Sequence, residues 1–572
     1  MRDLYRCLGE YPIPLLRAIA HSWGVSLTSE TSQAMAVELG DAILAHRDIS
    51  QILATLSSAA QEALAQVARR SGIVPGYHLA LNYGQIRRLG PVRMAREQPW
   101  LAPANPLEEL FYRGLLYRAY GQVGDHYGEL FVIPQQLLER LPSLPDRNAV
   151  FGNEMPMPPR IVRQETLFVE DILAILVHLR RQPLPIPTEQ HASVAIMSIH
   201  LGQRLIGASI APRMALLWRL MQRLELLQEQ NGILSPGLRA REWLRLDDIT
   251  RQGRILAVWR DDPEAYELAQ LPTLVWQGSE PTYDAPQMRR QFLEALSAWP
   301  PERWFPLDAL VRHLKRYHPD YLRPDGDYTS WYVRDRKTGE QLSGLESWDH
   351  IEGALALHML SKPLHWLGIV ALGYEKTGHA PTAFCVCESG IQALGAIDRS
   401  ANESTPHRRM PCATVGQELT VRISLTNTAY ERYQLERFAE WLGQESDPHA
   451  PEDARVARYR ITDRSLRTSQ EAGIKIEQIV GFLKRITGEQ VPSDATLQLL
   501  AWAARQERVS LRRVILLQTN DRQTMEQLCA DTELAALLGE RLSPTTCLVR
   551  ESDFDALRKC LEALGISARI ER

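Results

Sequence analysis

Two aspartates and a lysine carry the most specific chemistry that the chain offers. Pro319-Asp320 is followed downstream by Asp335-Arg336-Lys337. Two such carboxylates can hold a divalent cation against a scissile phosphate, and a lysine beside them can orient water or steady the developing charge. Tyr328-Thr329-Ser330-Trp331-Tyr332-Val333 reads as a strand that would deliver Asp335. The same residues have a plainer reading, because Lys337-Thr338-Gly339-Glu340 has the composition of a hairpin turn with Asp335 as its first residue.

The first pattern resembles the PD-(D/E)xK nucleases, and a metal-dependent nuclease built on Asp320, Asp335 and Lys337 is therefore one reading of the chain. Other chemistry is thinner. His313, His318, His350, His358 and His365 never take the HExxH spacing of a zinc site. Cys385-Val386-Cys387 is a CxC without the second pair that a zinc knuckle needs, and cysteine is also a small core residue. Trp331, Trp348 and Trp366 read as core, with a base-stacking platform as the alternative. No Gly-x-x-x-x-Gly-Lys-Ser/Thr loop occurs; Gly373-Tyr374-Glu375-Lys376-Thr377-Gly378 has its first glycine at the wrong spacing. An ATP-driven motor is thus not expected, nor any cofactor or resident metal.

For nucleic acid the candidates are arginines: Arg87, Arg88, Arg93 and Arg96 in one segment, Arg505, Arg508, Arg512 and Arg513 in another. Guanidinium suits bidentate phosphate contacts. The alternative is a solvated charged face. Arginine supplies nearly all the positive charge, and the first lysine is Lys315, a bias that a GC-rich genome would also produce. The net charge of −4 argues against wholesale wrapping of nucleic acid and leaves room for a local patch.

The elements that must position these groups fill 572 residues, enough for about four domains. No apolar run reaches the ~18 residues that span a bilayer. The N-terminus lacks a signal pattern, so the expectation is a cytoplasmic protein without a membrane partner. Residues 1–46 read as two helices of a SAP-like unit. Residues 47–145 read as helix, basic segment, helix and a glycine-rich hairpin, the order of a winged helix. Residues 146–160 are a proline-rich linker. Residues 161–278 and 285–395 repeat the helix–helix–hairpin theme, the latter with a polar and aromatic insertion, and 396–455 connect to the end of the chain. Residues 456–572 alternate short strands and capped helices, with Arg508–Arg512 and Ala568–Ile570 among the strands; earlier in the chain Leu364–Val370 reads as a strand within 285–395 and Tyr433–Leu442 as a helix within 396–455.

Tyr459-Arg460-Ile461-Thr462, Ser465-Leu466, Ala472-Gly473, Ile479 to Leu483, Val491-Pro492 and Trp502 follow one another in this last part. The order resembles the N-terminal domain of XPB-family helicases, which also occurs in bacterial helicase-associated proteins that have no motor. In eukaryotic members this domain docks on a similar domain of a TFIIH subunit. The resemblance implies an α+β, helix-rich protein: tandem winged-helix-like modules followed by a compact XPB-N-terminal-like domain. It implies a non-catalytic adaptor that binds DNA, an XPB-like helicase, or both. The other readings are the nuclease above and a winged-helix transcription regulator.

Overall fold

A computed structural model of the chain describes residues 3–45, 49–124, 126–142, 151, 153–185, 211–264, 267–278, 283–376, 378–397, 411–445, 455–506 and 515–570. The protein is α+β and rich in helix, with several small sheets. It divides into two compact units, Met1–Arg409 with Leu425–Gln434, and Met410–Ser424 with Leu435–Arg572. No helix among the described residues is long and apolar enough to cross a membrane.

In the first unit, β1 (Ile73–Pro75), β2 (Tyr117–Val123) and β3 (His126–Val132) form a sheet in the order β1-β3-β2. β4 (Arg160–Val162) precedes β5 (Leu184–Pro185), β6 (Leu227–Gln230) and β7 (Ile233–Pro236), and the last three make a sheet in the order β5-β7-β6. β8 (Leu274–Trp276), β9 (Trp304–Pro306), β10 (Val333–Asp335), β11 (Gln341–Leu342), β12 (Val370–Tyr374) and β13 (Ala383–Val386) complete this unit's strands among the described residues. They pair as β11-β10-β8 and as β4-β12-β13-β9. In the second unit, β14 (Ala413–Val415), β15 (Thr420–Ser424), β16 (Glu440–Glu445) and β17 (Val456–Arg460) pair as β14-β15-β17-β16. β18 (Ile515–Gln518), β19 (Leu538–Ser543) and β20 (Thr546–Val549) pair as β18-β20-β19.

One arrangement recurs in five of these six sheets: a strand, at least one helix, then a hairpin whose second strand pairs back onto the first. Pairing back in this way lets a short strand close the sheet while the helix covers one face and closes an apolar core. In the first module that core holds Leu64, Val67, Leu79, Leu107, Leu110 and Phe131. A larger core gathers Trp259, Phe292, Trp299, Trp348 and Leu355 around the later helices.

The N-terminal modules of the first unit are joined to its later helices at a helix end. The helix Leu307–Tyr317 leaves its last carbonyls without intrahelical partners. Asn82 Nδ2 donates to Lys315 O at 2.8 Å, Gln66 Nε2 to Arg316 O, and an Arg70 Nη to Tyr317 O at 2.6 Å. Three side chains from another part of the chain therefore finish this helix.

Several expectations are corrected. Leu364–Val370 is not one strand: Pro363–Trp366 is a helical turn, Gly368 takes φ +76°, and β12 begins only at Val370. The helix expected over Tyr433–Leu442 ends at Leu435, because Glu440–Glu445 pairs along Val456–Arg460 instead. Tyr328–Tyr332 is irregular, since the Asp327 side chain accepts the Thr329 and Ser330 amides and turns the chain. Ala568–Ile570 lies outside any strand. The strand expected over Arg508–Arg512 and most of the linker at 146–160 lie outside the described residues.

Candidate nucleic-acid interface

The basic segment of the first module runs from Gln85 into the short helix Pro91–Glu97, started by a proline at its first position. Its four arginines do different jobs. Arg87 grips Glu108, with Nε 2.7 Å from one carboxylate oxygen and an Nη 2.8 Å from the other. The Glu108 side chain is fully buried and also accepts the amides of Arg87 and Ala104 at 3.0 and 2.9 Å. Burial alone would raise its carboxyl; the Arg87 fork and the two amides outweigh it and hold the group below its ordinary value. Arg87 is therefore an anchor between the basic segment and the helix Pro106–Tyr112.

Arg88, Arg93 and Arg96 are exposed. Arg93 Nε lies 2.6 Å from Glu97, Arg96 reaches the same carboxylate at 3.6 Å, and Arg88 approaches Glu129 at 3.7 Å. A fifth guanidinium, on Arg118, pairs with Glu129 at 3.1 Å and donates to Ile86 O at 2.5 Å. Sequence reasoning missed Arg118; its alternation with buried Tyr117 and Ala119 along β2 was the available signal. Gly76, Tyr77, Ile86, Arg87, Arg88, Arg118, Glu129 and Phe131 line a cleft of about 450 Å³ beside this segment.

The split sets up a prediction. Arg87→Ala should destabilise the protein by about 2 kcal/mol, because it strands a buried carboxylate while the exposed guanidinium tip keeps the penalty below that of a wholly buried pair. Arg88, Arg93 and Arg96 changed together to Gln should leave the urea midpoint where it was. Equal midpoints for the two variants would remove the anchor role from Arg87.

Arg505 lies in the helix Ser493–Gln506, and Arg508, Arg512 and Arg513 lie outside the described residues.

The two carboxylates of the nuclease pattern are engaged separately. Asp320 lies 3.0 Å from His78 Nε2, which is also 2.8 Å from an Arg70 Nη, and Tyr77 Oη donates to it at 3.5 Å. Burial raises the Asp320 carboxyl, and His78 and Arg70 bring it below its ordinary value. Burial lowers the His78 imidazole below its ordinary value against the pull of Asp320. Asp335 instead accepts the Lys337 and Thr338 amides at 2.8 Å each, the turn of the β10–β11 hairpin. These two amides hold its carboxyl low.

Trp348 and Trp366 are buried in the core, and half-buried Trp331 packs against it, on Trp276 and under the Arg323 guanidinium. Cys385 and Cys387 are buried on and just after β13, and burial pushes the Cys385 thiol up to about 12. Among the described residues, Glu165, Glu302 and Cys387 are the one group of three metal-ligating side chains that converge. Arg163 sits between its carboxylates, 2.8 Å from Glu165 and 2.6 Å from Glu302, and supplies the positive charge there.

In the second unit the resembling residues act structurally. Thr462 caps the helix Asp463–Glu471 by accepting the Ser465 amide at 3.0 Å, and Ser465 returns a bond to the Thr462 amide. Gly488 ends the helix Ile476–Thr487 in the left-handed conformation. Tyr459, Leu466, Ile479 and Leu483 are buried.

Residues 430–543 match the family described as helicase conserved C-terminal domain. That stretch covers most of the second unit and ties the chain to helicase-related nucleic-acid transactions. No curated protein matches the chain.

Proposed function

We propose that the protein is a non-catalytic adaptor that binds nucleic acid through its first unit and a helicase through its second. The observation that carries this reading is the helicase-domain match over 430–543 in a chain whose sheets repeat one small strand–helix–hairpin arrangement. Repeated small modules multiply binding surfaces rather than build one catalytic cleft. The order helix, strand, helix, hairpin fits a winged-helix-like reading of the first module, and the capped helices after β17 fit an XPB-N-terminal-like reading of the second unit.

Within the first module the mode of contact is constrained. The helix before the hairpin, Pro106–Tyr112, buries Leu107, Glu108, Leu110, Phe111 and Tyr112. It has no face left to enter a major groove, which removes support from a regulator that reads sequence through that helix. Contact falls instead to Arg88, Arg93 and Arg96.

Two measurements test the reading. The slope of log affinity for duplex DNA against log salt should fall by up to about 0.9 for each phosphate contact removed when Arg88, Arg93 and Arg96 become Gln. Affinity capture of the tagged full chain from its host, with and without nuclease, should recover an XPB-like helicase in both samples. Unchanged DNA binding in the triple variant, together with no helicase after nuclease treatment, would sink the adaptor reading.

A further inference from the structure

The outer face of the first hairpin carries a feature that phosphate contact does not use. Cross-strand neighbours on one face are Arg118 with Phe131, Tyr120 with Glu129, and Gln122 with Tyr127. Tyr120 and Tyr127 are 64% and 69% exposed, and their rings meet edge to face with centroids 5.3 Å apart. Each ring fixes the other, so that aromatic surface is offered to solvent at a defined place rather than on two free side chains.

The aromatic pair is continuous with the cleft. Phe131, Arg118 and Glu129 line the cleft and share the hairpin face with the two tyrosines. From Phe131 to Tyr127 the face runs roughly 13 Å along β3. Beside it Arg87, Arg88 and Arg118 line the cleft and stand against Glu108 and Glu129, three guanidinium groups to two carboxylates. The Arg88 side chain is 83% exposed beside this track.

We infer that this face binds single-stranded nucleic acid, with unpaired bases stacked on Tyr120 and Tyr127 and one base or its sugar seated in the cleft, while Arg88 faces the backbone. The inference rests on the nucleic-acid reading above and names the ligand of the same site. A duplex buries its base faces and offers nothing to stack. A basic peptide would meet the surplus of guanidinium. An acidic peptide would satisfy the charge and leave the ring faces unused. Unpaired bases joined by phosphates use both parts, and a ring stacks on any base without reading its edge.

The test uses the full chain and fluorescence anisotropy with labelled dT20, rU20 and a 20-base-pair duplex. Tyr120 and Tyr127 are exposed, so their replacement does not open a core. Tyr120→Ala with Tyr127→Ala should weaken dT20 binding tenfold or more, leave duplex affinity unchanged and leave the salt slope for dT20 unchanged, because stacking releases no counterions. Tyr120→Phe with Tyr127→Phe should bind like the original. The rU20 arm decides whether the strand is RNA or DNA. Wild-type affinity for dT20 and rU20 in the double alanine variant would overturn the platform while the nucleic-acid reading stood. Absence of binding to all three probes by the unaltered protein would overturn both.

Discussion

Acidification from pH 7 to pH 4 should cost the first unit roughly 3 kcal/mol for each of His313 and His358, whose imidazoles burial holds neutral down to about 4. His313 lies in an aromatic cage, with Phe151 stacked at 5.8 Å, Trp299 edge-on at 5.6 Å and Tyr317 at 4.9 Å. His318, 6.1 Å away, further disfavours its charged form. His358 is also buried, with Lys362 opposing a second positive charge nearby. In the unfolded chain each ring takes a proton near 6.5, and in the fold only near 4. Between those values the unfolded state binds more protons, so the stability is whole above about 6.5 and is lost as pH falls through about 4.

Glu352 works the other way. Burial pushes its carboxyl up to about 7 against the pull of Arg323, so it takes its proton in the fold first and offsets part of the loss. Its stability is whole at low pH and is lost as pH rises through about 7. Two single variants separate the contributions. His313→Phe keeps the cage filled and should flatten the fall in melting temperature between pH 7 and pH 4, read by Trp fluorescence. Glu352→Gln should steepen it. A melting curve for His313→Phe that falls as steeply as the original would show that the cage does not hold the ring neutral.

The parts of this fold that were legible in the sequence are those fixed by neighbours in the chain. The helix Ile476–Thr487 was readable because its apolar spacing and the glycine behind it set both ends. A cap at Thr462 or Asp463 was readable for the same reason, and the fold uses Thr462, whose partner is Ser465. Glu440–Glu445 was not readable, because its helical-looking spacing yields to pairing with Val456–Arg460, a strand more distant in sequence. The site divides likewise. A run of arginines announces charge but not which guanidinium is spent inside the fold. Arg87 and Arg88 are adjacent, yet one is committed to Glu108 and the other faces solvent. Tyr120 and Tyr127 become a pair only once the hairpin register brings them to one face.

The preference for arginine over lysine has a physical use here, whatever its genomic cause, and Arg289 gives its largest predicted effect. Arg289 is fully buried in the helix Ala285–Ser297. Its Nε and one Nη bond both oxygens of buried Glu267 at 2.7 and 2.8 Å. The remaining donors reach Trp259 O at 3.0 Å, Asp262 O at 2.6 Å and Glu264 O at 3.0 Å. One guanidinium thus closes an ion pair and ends the helix Asp248–Arg260, much as Asn82, Gln66 and Arg70 end Leu307–Tyr317. Arg289→Ala should destabilise the first unit by about 3–5 kcal/mol, leaving a buried carboxylate and taking the guanidinium from the Asp262 and Glu264 carbonyls. Arg289→Lys should cost nearly as much, because an ammonium has no planar fork to reach both the carboxylate and the carbonyls. Arg289→Met with Glu267→Leu should recover a large share, since removing both charges removes the desolvation cost with them. Urea unfolding of the three variants reads the difference. If Arg289→Lys unfolds with the original protein, the fork geometry is not what this site requires, and the buried arginines Arg213, Arg251 and Arg432 would then need another account than shape.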